Sequence, residues 1–311
     1  MKGCVRALLE SIHKYFKVGL ISFMAYPQIM RGDDPDTLKF LRNIAVDDYF
    51  DAIEVTWIKD AGVRKNAAEL LAQSHLTVCY GAQPRLLTTG LNPNHLDESE
   101  RQKAEATLIE AIDEAQELGA KGIAFLSGKF SEDKKDEAYA QLIKTTKNLC
   151  AYAKTKNMLV ELEVFDYDID KKSLIGPAPY AAKFAADMRS AYQNFGLMID
   201  LSHIPMTYET PEFVVRTLRP YITHLHMGNT VCKDPAADGY GDQHQRFGFP
   251  GGSNDTADLV EYLRVLLAEG FANPADPMVL SFEVKPWKDE DPDVVVANAK
   301  RVLNRAWAIV E

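Results

Sequence analysis

The sequence predicts a single α/β domain of the (β/α)8, or TIM-barrel, type. Three observations predict it. Strand-like and helix-like segments alternate along almost the whole 311-residue chain, which argues for a parallel sheet. The strand-like segments number eight, enough to close a barrel. Four of them, all in the second half, end in side chains able to ligate a metal, and a barrel gathers such ends at one catalytic face. An open, doubly wound sheet would want a Gly-rich phosphate loop after an early strand, and neither GxGxxG nor GxxxxGK[ST] occurs.

In order, the first strand is expected over 18–24, containing Phe23 and followed by Tyr26. The second, 52–57, carries Glu54 and Trp57; the third, 77–81, leads to Gln83 and Arg85; the fourth, 122–126, leads to Lys129. The remaining four are 159–165, 197–201, 222–226 and 278–284. Between them lie amphipathic stretches such as 99–118, 132–155, 179–194, 255–268 and 293–310, suited to helices that cover the sheet. Residues 1–16 precede the first strand and are expected to form an extra helix outside the barrel, leaving 17–311 as the barrel itself. The longest irregular stretch, 228–252, is rich in Gly and Pro, and loops of that length in a compact barrel are usually functional.

Composition narrows the function. Apolar residues make up 46% and charged residues 26%, enough apolar material for a full core. A formal charge of −10 makes the chain a poor binder of nucleic acid or anionic membrane. No run of 18 apolar residues exists, so no membrane span is expected. The opening residues lack the uninterrupted apolar stretch of a signal peptide. Cys4, Cys79, Cys150 and Cys232 lie far apart, without a CxxC pair, as expected of reduced thiols in a cytoplasmic protein. Together these features point to a small-molecule enzyme.

The four metal-binding ends are Glu163, Asp200, His226 and Glu283. Period-2 alternation puts Glu161, Glu163 and Phe165 on one face of their strand, and Ser281, Glu283 and Lys285 on one face of theirs. Carboxylates with one imidazole suit a divalent ion, Mn²⁺ first, with Mg²⁺, Co²⁺ and Zn²⁺ as alternatives. Four of the seven histidines fall between 203 and 244, so histidine is concentrated here. Glu161 and His224 read as supports behind the ligands. His203 is expected just past its strand, at the rim. Such an ion polarises the carbonyl and neighbouring hydroxyl of a hydroxy-ketone or hydroxy-aldehyde, which eases removal of a carbon-bound proton. Glu163 and Glu283 would flank the substrate, one taking the proton and the other returning it.

Asp200-Leu-Ser-His203, followed 26 residues after Asp200 by His226 of the His-Leu-His pair, resembles the xylose-isomerase-like barrel superfamily of sugar isomerases and epimerases. Ketose 3-epimerases are the matching branch by ligand spacing, over roughly 18–310. The resemblance implies that Glu163, Asp200, His226 and Glu283 bind the metal, that Glu163 and Glu283 are the acid/base pair, and that His203 contacts a substrate oxygen. It also implies a carbohydrate substrate and a homo-oligomer. The DNA-repair endonucleases of the same fold match less well.

The chain departs from the epimerase pattern beyond His226. Where those enzymes carry a substrate-holding arginine, the nearest cation is Lys233, and Glu283 comes 57 residues after His226, a longer gap. The added loop brings Asp242, His244 and Arg246 as candidates for a different substrate pocket. Tyr26 and Trp57 are candidates for its aromatic wall, and Lys285 for binding an oxyanion or carboxylate. The loop also keeps open a resemblance to the α subunits of C-glycoside deglycosidases. That resemblance implies lyase chemistry on 3-oxo-glycosides and a small β-rich partner subunit. A non-catalytic sugar-binding subunit is the alternative of another class.

Overall fold

The structure, a computed structural model, describes residues 10–310. Eight parallel strands run β1 (Phe16–Ile21), β2 (Ala52–Val55), β3 (Thr77–Tyr80), β4 (Gly122–Leu126), β5 (Leu159–Glu163), β6 (Phe195–Asp200), β7 (Ile222–Gly228) and β8 (Met278–Glu283). Their order around the sheet is β3-β2-β1-β8-β7-β6-β5-β4, so every consecutive pair except β3 and β4 is hydrogen-bonded as neighbouring strands, and β8 returns to β1. A parallel bridge from Gly81 to Ala124, with Ala82 N donating to Ala124 O at 2.7 Å, brings the two remaining edges together. The result is a (β/α)8 barrel.

Ten α-helices occur among the described residues. They are α1 (Ser22–Ala25), α2 (Thr37–Ala45), α3 (Ala61–Ser74), α4 (Gln83–Leu87), α5 (Glu98–Glu117), α6 (Lys135–Thr155), α7 (Ala178–Arg189), α8 (Pro211–Leu218), α9 (Thr256–Ala268) and α10 (Pro292–Ile309). Strands covered on both faces bury nearly every side chain, and β2, β4 and β6 are buried throughout. Helix starts follow capping chemistry. Asp97 accepts from the Ser99 and Glu100 amides before α5, Asp291 from the Asp293 and Val294 amides before α10, and Asp255 with Asp258 forms a capping box before α9.

Strand register sets the height of the site. Asp200 pairs directly with His226, and Gly228 pairs with Glu283, so the ends of β6, β7 and β8 rise to one rim. A Cβ on Gly228 would stand 2.7 Å from Glu283 O, so only glycine lets β7 approach β8 there.

The first strand corrects the sequence expectation. It occupies Phe16–Ile21, and 22–25 turn into α1, where Ser22 Oγ donates to Glu54 O at 2.7 Å and ties the segment to the end of β2. A short apolar run does not tell strand from buried helix by period alone. Of the expected N-terminal extension, residues 1–9, with Cys4, lie outside the described residues. Ile12–Lys14 form one 3-10 turn, and Trp307 Nε1 donates to Glu10 O at 2.8 Å, holding that segment against α10. No helix among the described residues is long and apolar enough to cross a membrane.

Phe282 is fully buried beside Glu283 and meets Phe50 edge-on at 6.5 Å. Phe282→Ala should cost about 3–5 kcal/mol in urea unfolding; a loss below about 1 kcal/mol would show that this face of β8 carries little of the packing.

Candidate metal centre

Glu163 ends β5, Asp200 ends β6, His226 lies near the end of β7, and Glu283 ends β8. One ligand atom from each comes within 4.8 Å of the others, and all four residues are buried. His226 Nδ1 stands 2.8 Å from Glu283 Oε2 and 3.3 Å from Glu163 Oε1. None of these three atoms has an aligned hydrogen-bond partner, although each is buried. Buried polar atoms are normally paired, so three orphans converging on one point call for a cation among them. Two donors at right angles, each about 2.1 Å from an ion, stand about 3 Å apart, which fits these separations. The residues therefore fit a divalent metal.

Neighbouring groups hold the donors in place. Gln83 Nε2 donates to Glu163 Oε2 at 2.7 Å, leaving Oε1 to face the centre. Asp200 Oδ1 accepts from the Ser202 amide at 2.9 Å, and Ser202 Oγ donates to Oδ2. Burial pushes the Glu283 carboxyl up to about 7, with the Glu163 charge adding to the rise and the His244 imidazole opposing it. Burial also opposes protonation of His226, but the carboxylates around it, Glu54 foremost, raise its pKa well above the usual value.

Asp242 and His244 come to this centre from the 229–255 loop, above β7. His244 Nε2 lies 2.8 Å from Asp242 Oδ1 and 3.4 Å from Glu283 Oε1. Its backbone is left-handed, with φ 53°, a strained conformation that tends to collect at functional sites. His203, just past the end of β6, is buried at 2% exposure, with Asp242 of the loop against it. Its Nδ1 bonds to Val164 O at 3.0 Å, its Nε2 faces Asp242 Oδ1 at 3.2 Å, and its ring packs on Phe165. Lys171 reaches Asp242 Oδ2 at 2.8 Å from the loop after β5.

A cavity of about 650 Å³ opens beside this cluster. Glu163, His226 and Glu283 lie at its floor, and Asp242, His244, Lys171 and Lys285 also line it. An apolar wall comes from Phe23, Met24, Met30, Leu86, Leu87 and Leu91. His203, closed off behind Asp242, does not line it, nor do Tyr26, Trp57 and Arg246. Tyr26 donates its hydroxyl to Asp293 and stacks on Phe40; Trp57 donates Nε1 to Met30 O; Arg246 pairs with Glu290 at 2.8 Å. Each is turned away by a partner that sequence does not place beside it. Arg85 is likewise spent on Tyr80 and Glu114. Glu54, expected only as part of the second strand, and Gln83, expected only after the third, both touch the donors directly.

An eight-stranded barrel with buried His, Glu and Asp groups that fit a divalent ion belongs to the metal-site class of (β/α)8 proteins. Residues 44–301 match the family described as Xylose isomerase-like TIM barrel, and the chain belongs to that family. No curated protein matches it. Solved structures similar in fold include a D-tagatose 3-epimerase-like protein, with 19% identity, 95% of this chain and 98% of that chain covered, and a TM-score of 0.71. Another is the 3-keto-D-glucoside 4-epimerase YcjR from E. coli, at 14% identity, 93% and 99% coverage and TM-score 0.65. A third is the IOLI protein with a binding zinc atom, at 14% identity, 94% and 98% coverage and TM-score 0.71.

A cation that binds the folded cluster and not the unfolded chain should raise stability by about 2.7 kcal/mol at a hundredfold excess over its dissociation constant. Thermal scans of chelator-treated protein, with Mn²⁺, Mg²⁺, Co²⁺ or Zn²⁺ restored, should show that rise, and Asp200→Asn should abolish it. An unchanged midpoint with every ion would count against the centre.

Proposed function

We propose that this protein is a divalent-metal-dependent isomerase or epimerase of a carbohydrate, working by proton transfer at the carbon next to a carbonyl. The observation that carries the reading is the convergence of Glu163, Asp200, His226 and Glu283, with three orphaned atoms, at a cavity whose floor Glu163, His226 and Glu283 form. The printed names of fold relatives, a tagatose epimerase-like protein and a keto-glucoside epimerase, support it. When bound, the metal supplies a Lewis acid that withdraws electron density from the substrate carbonyl.

The chain's own groups do the rest. Glu163, held through Oε2 by Gln83, stands at the cavity floor and would take the carbon-bound proton. Glu283 reaches the same point from β8 and is placed to return it. Return to the original carbon from the opposite face inverts that centre, and return to the adjacent carbon moves the carbonyl. His244, backed by Asp242, and Lys285 offer donors to substrate oxygens along the loop side, with His203 behind them.

A second reading is favoured by the cavity's size and its apolar wall, which exceed what a free ketose fills. On a 3-oxo-glycoside, removal of the proton at C2 and departure of the aglycone from C1 with its bonding pair would give an elimination. The same carboxylates would serve.

Incubation of the metal-loaded protein in D₂O with ketoses, aldoses and 3-oxo-glycosides, followed by NMR, separates these outcomes. Deuterium should appear next to the carbonyl, and at matched metal loading Glu163→Gln or Glu283→Gln should slow it by about 10²–10⁴-fold. Aglycone release without isomerisation would select the elimination. A bound metal with no exchange from any compound would point to a sugar-binding subunit.

A further inference from the structure

We propose that Glu54 is a positioning residue for the metal centre, fixing His226 as the Nε2–H tautomer so that Nδ1 keeps the lone pair that meets the ion. The inference rests on the metal reading above and deepens it.

The two nitrogens of His226 face different chemistry. Nε2 lies 3.0 Å from Glu54 Oε1, and an ionised carboxylate can only accept, so the proton on that side belongs to the ring. Nδ1 lies among Glu163 Oε1 and Glu283 Oε2, where it has no hydrogen-bond partner. One nitrogen is therefore tied to a carboxylate and the other is left for a ligand. That is the arrangement by which outer carboxylates orient metal-binding histidines and raise their basicity.

Glu54 is placed for this role, facing both His226 and His224. It comes from β2, 172 residues away in sequence, and is 1% exposed. Its Oε1 also meets His224 Nε2 at 2.9 Å. Beyond His224, Glu161 Oε2 stands 3.7 Å from His224 Nδ1, and Glu161 Oε1 accepts from Thr223 Oγ1 at 2.6 Å. A buried column of Glu161, His224, Glu54 and His226 thus leads up to the ion site. Among the described residues no lysine or arginine pairs with Glu54, so its negative charge acts on the two imidazoles.

Glu54→Gln keeps the shape of the side chain and removes its charge. Affinity for Mn²⁺, measured by competition with a chelator, should fall by about 10–100-fold in the folded variant. Wild-type-like affinity in Glu54→Gln would overturn the assignment while leaving the metal centre intact. Ring ¹⁵N NMR of the Zn²⁺-loaded wild-type protein gives a readout independent of how the variant folds. His226 should show a protonated Nε2 and a metal-bound Nδ1; a protonated Nδ1 overturns the assignment. Wild-type protein that binds neither ion overturns this inference and the metal reading together.

Discussion

Buried negative charge is the constraint on which this molecule turns. Glu54, Glu163, Asp200, Asp242 and Glu283 are all at least nine-tenths buried near the rim of one barrel. An ionised carboxylate removed from water is costly unless it is paired and hydrogen-bonded. The chain meets that cost with imidazoles and Lys171, and it holds Asp242 and Glu54 well below the usual carboxylate range once their cationic neighbours outweigh burial. Glu283 is raised instead, because burial and the Glu163 charge outweigh the imidazoles beside it. That imbalance is local to the point where the orphaned atoms meet.

The division of labour follows strand order. β5 to β8 supply the four donors, while α1, α4 and the segments after them supply the apolar wall. The long loop above β7 returns Asp242 and His244 to the donors and hands its carbonyl at His244 to the Lys285 amide at 2.6 Å, so β8 and the loop brace each other. Catalytic precision on rigid strands and substrate contact on loops is the usual partition in barrels.

Much of this was legible in the sequence, and the reasons differ by element. The donors were readable because a parallel barrel puts strand ends at one face, so the position of a residue at the end of an apolar run carries three-dimensional meaning. The fourth strand could be bounded as it stands, since glycine and leucine mark its ends. Helices such as α3 gave little signal, as only Ala67 and Leu71 of that helix are buried. Tyr26, Trp57 and Arg246 sit beyond strand ends, where no period fixes direction, and partners far along the chain turned them away from the cavity. The Glu54–His226 contact joins β2 to β7 across the barrel and leaves no trace in local pattern.

The barrel wall is not equally strong all round. Seven of its eight joints are strand ladders, but β3 and β4 meet through little more than the Gly81–Ala124 bridge. The least costly opening of the cylinder runs along that joint. Parting there releases α4 and the greasy side of the cavity, yet disturbs none of the strand pairings that hold the four donors. The apolar side of the cavity can therefore widen while Glu163, Asp200, His226 and Glu283 keep their spacing.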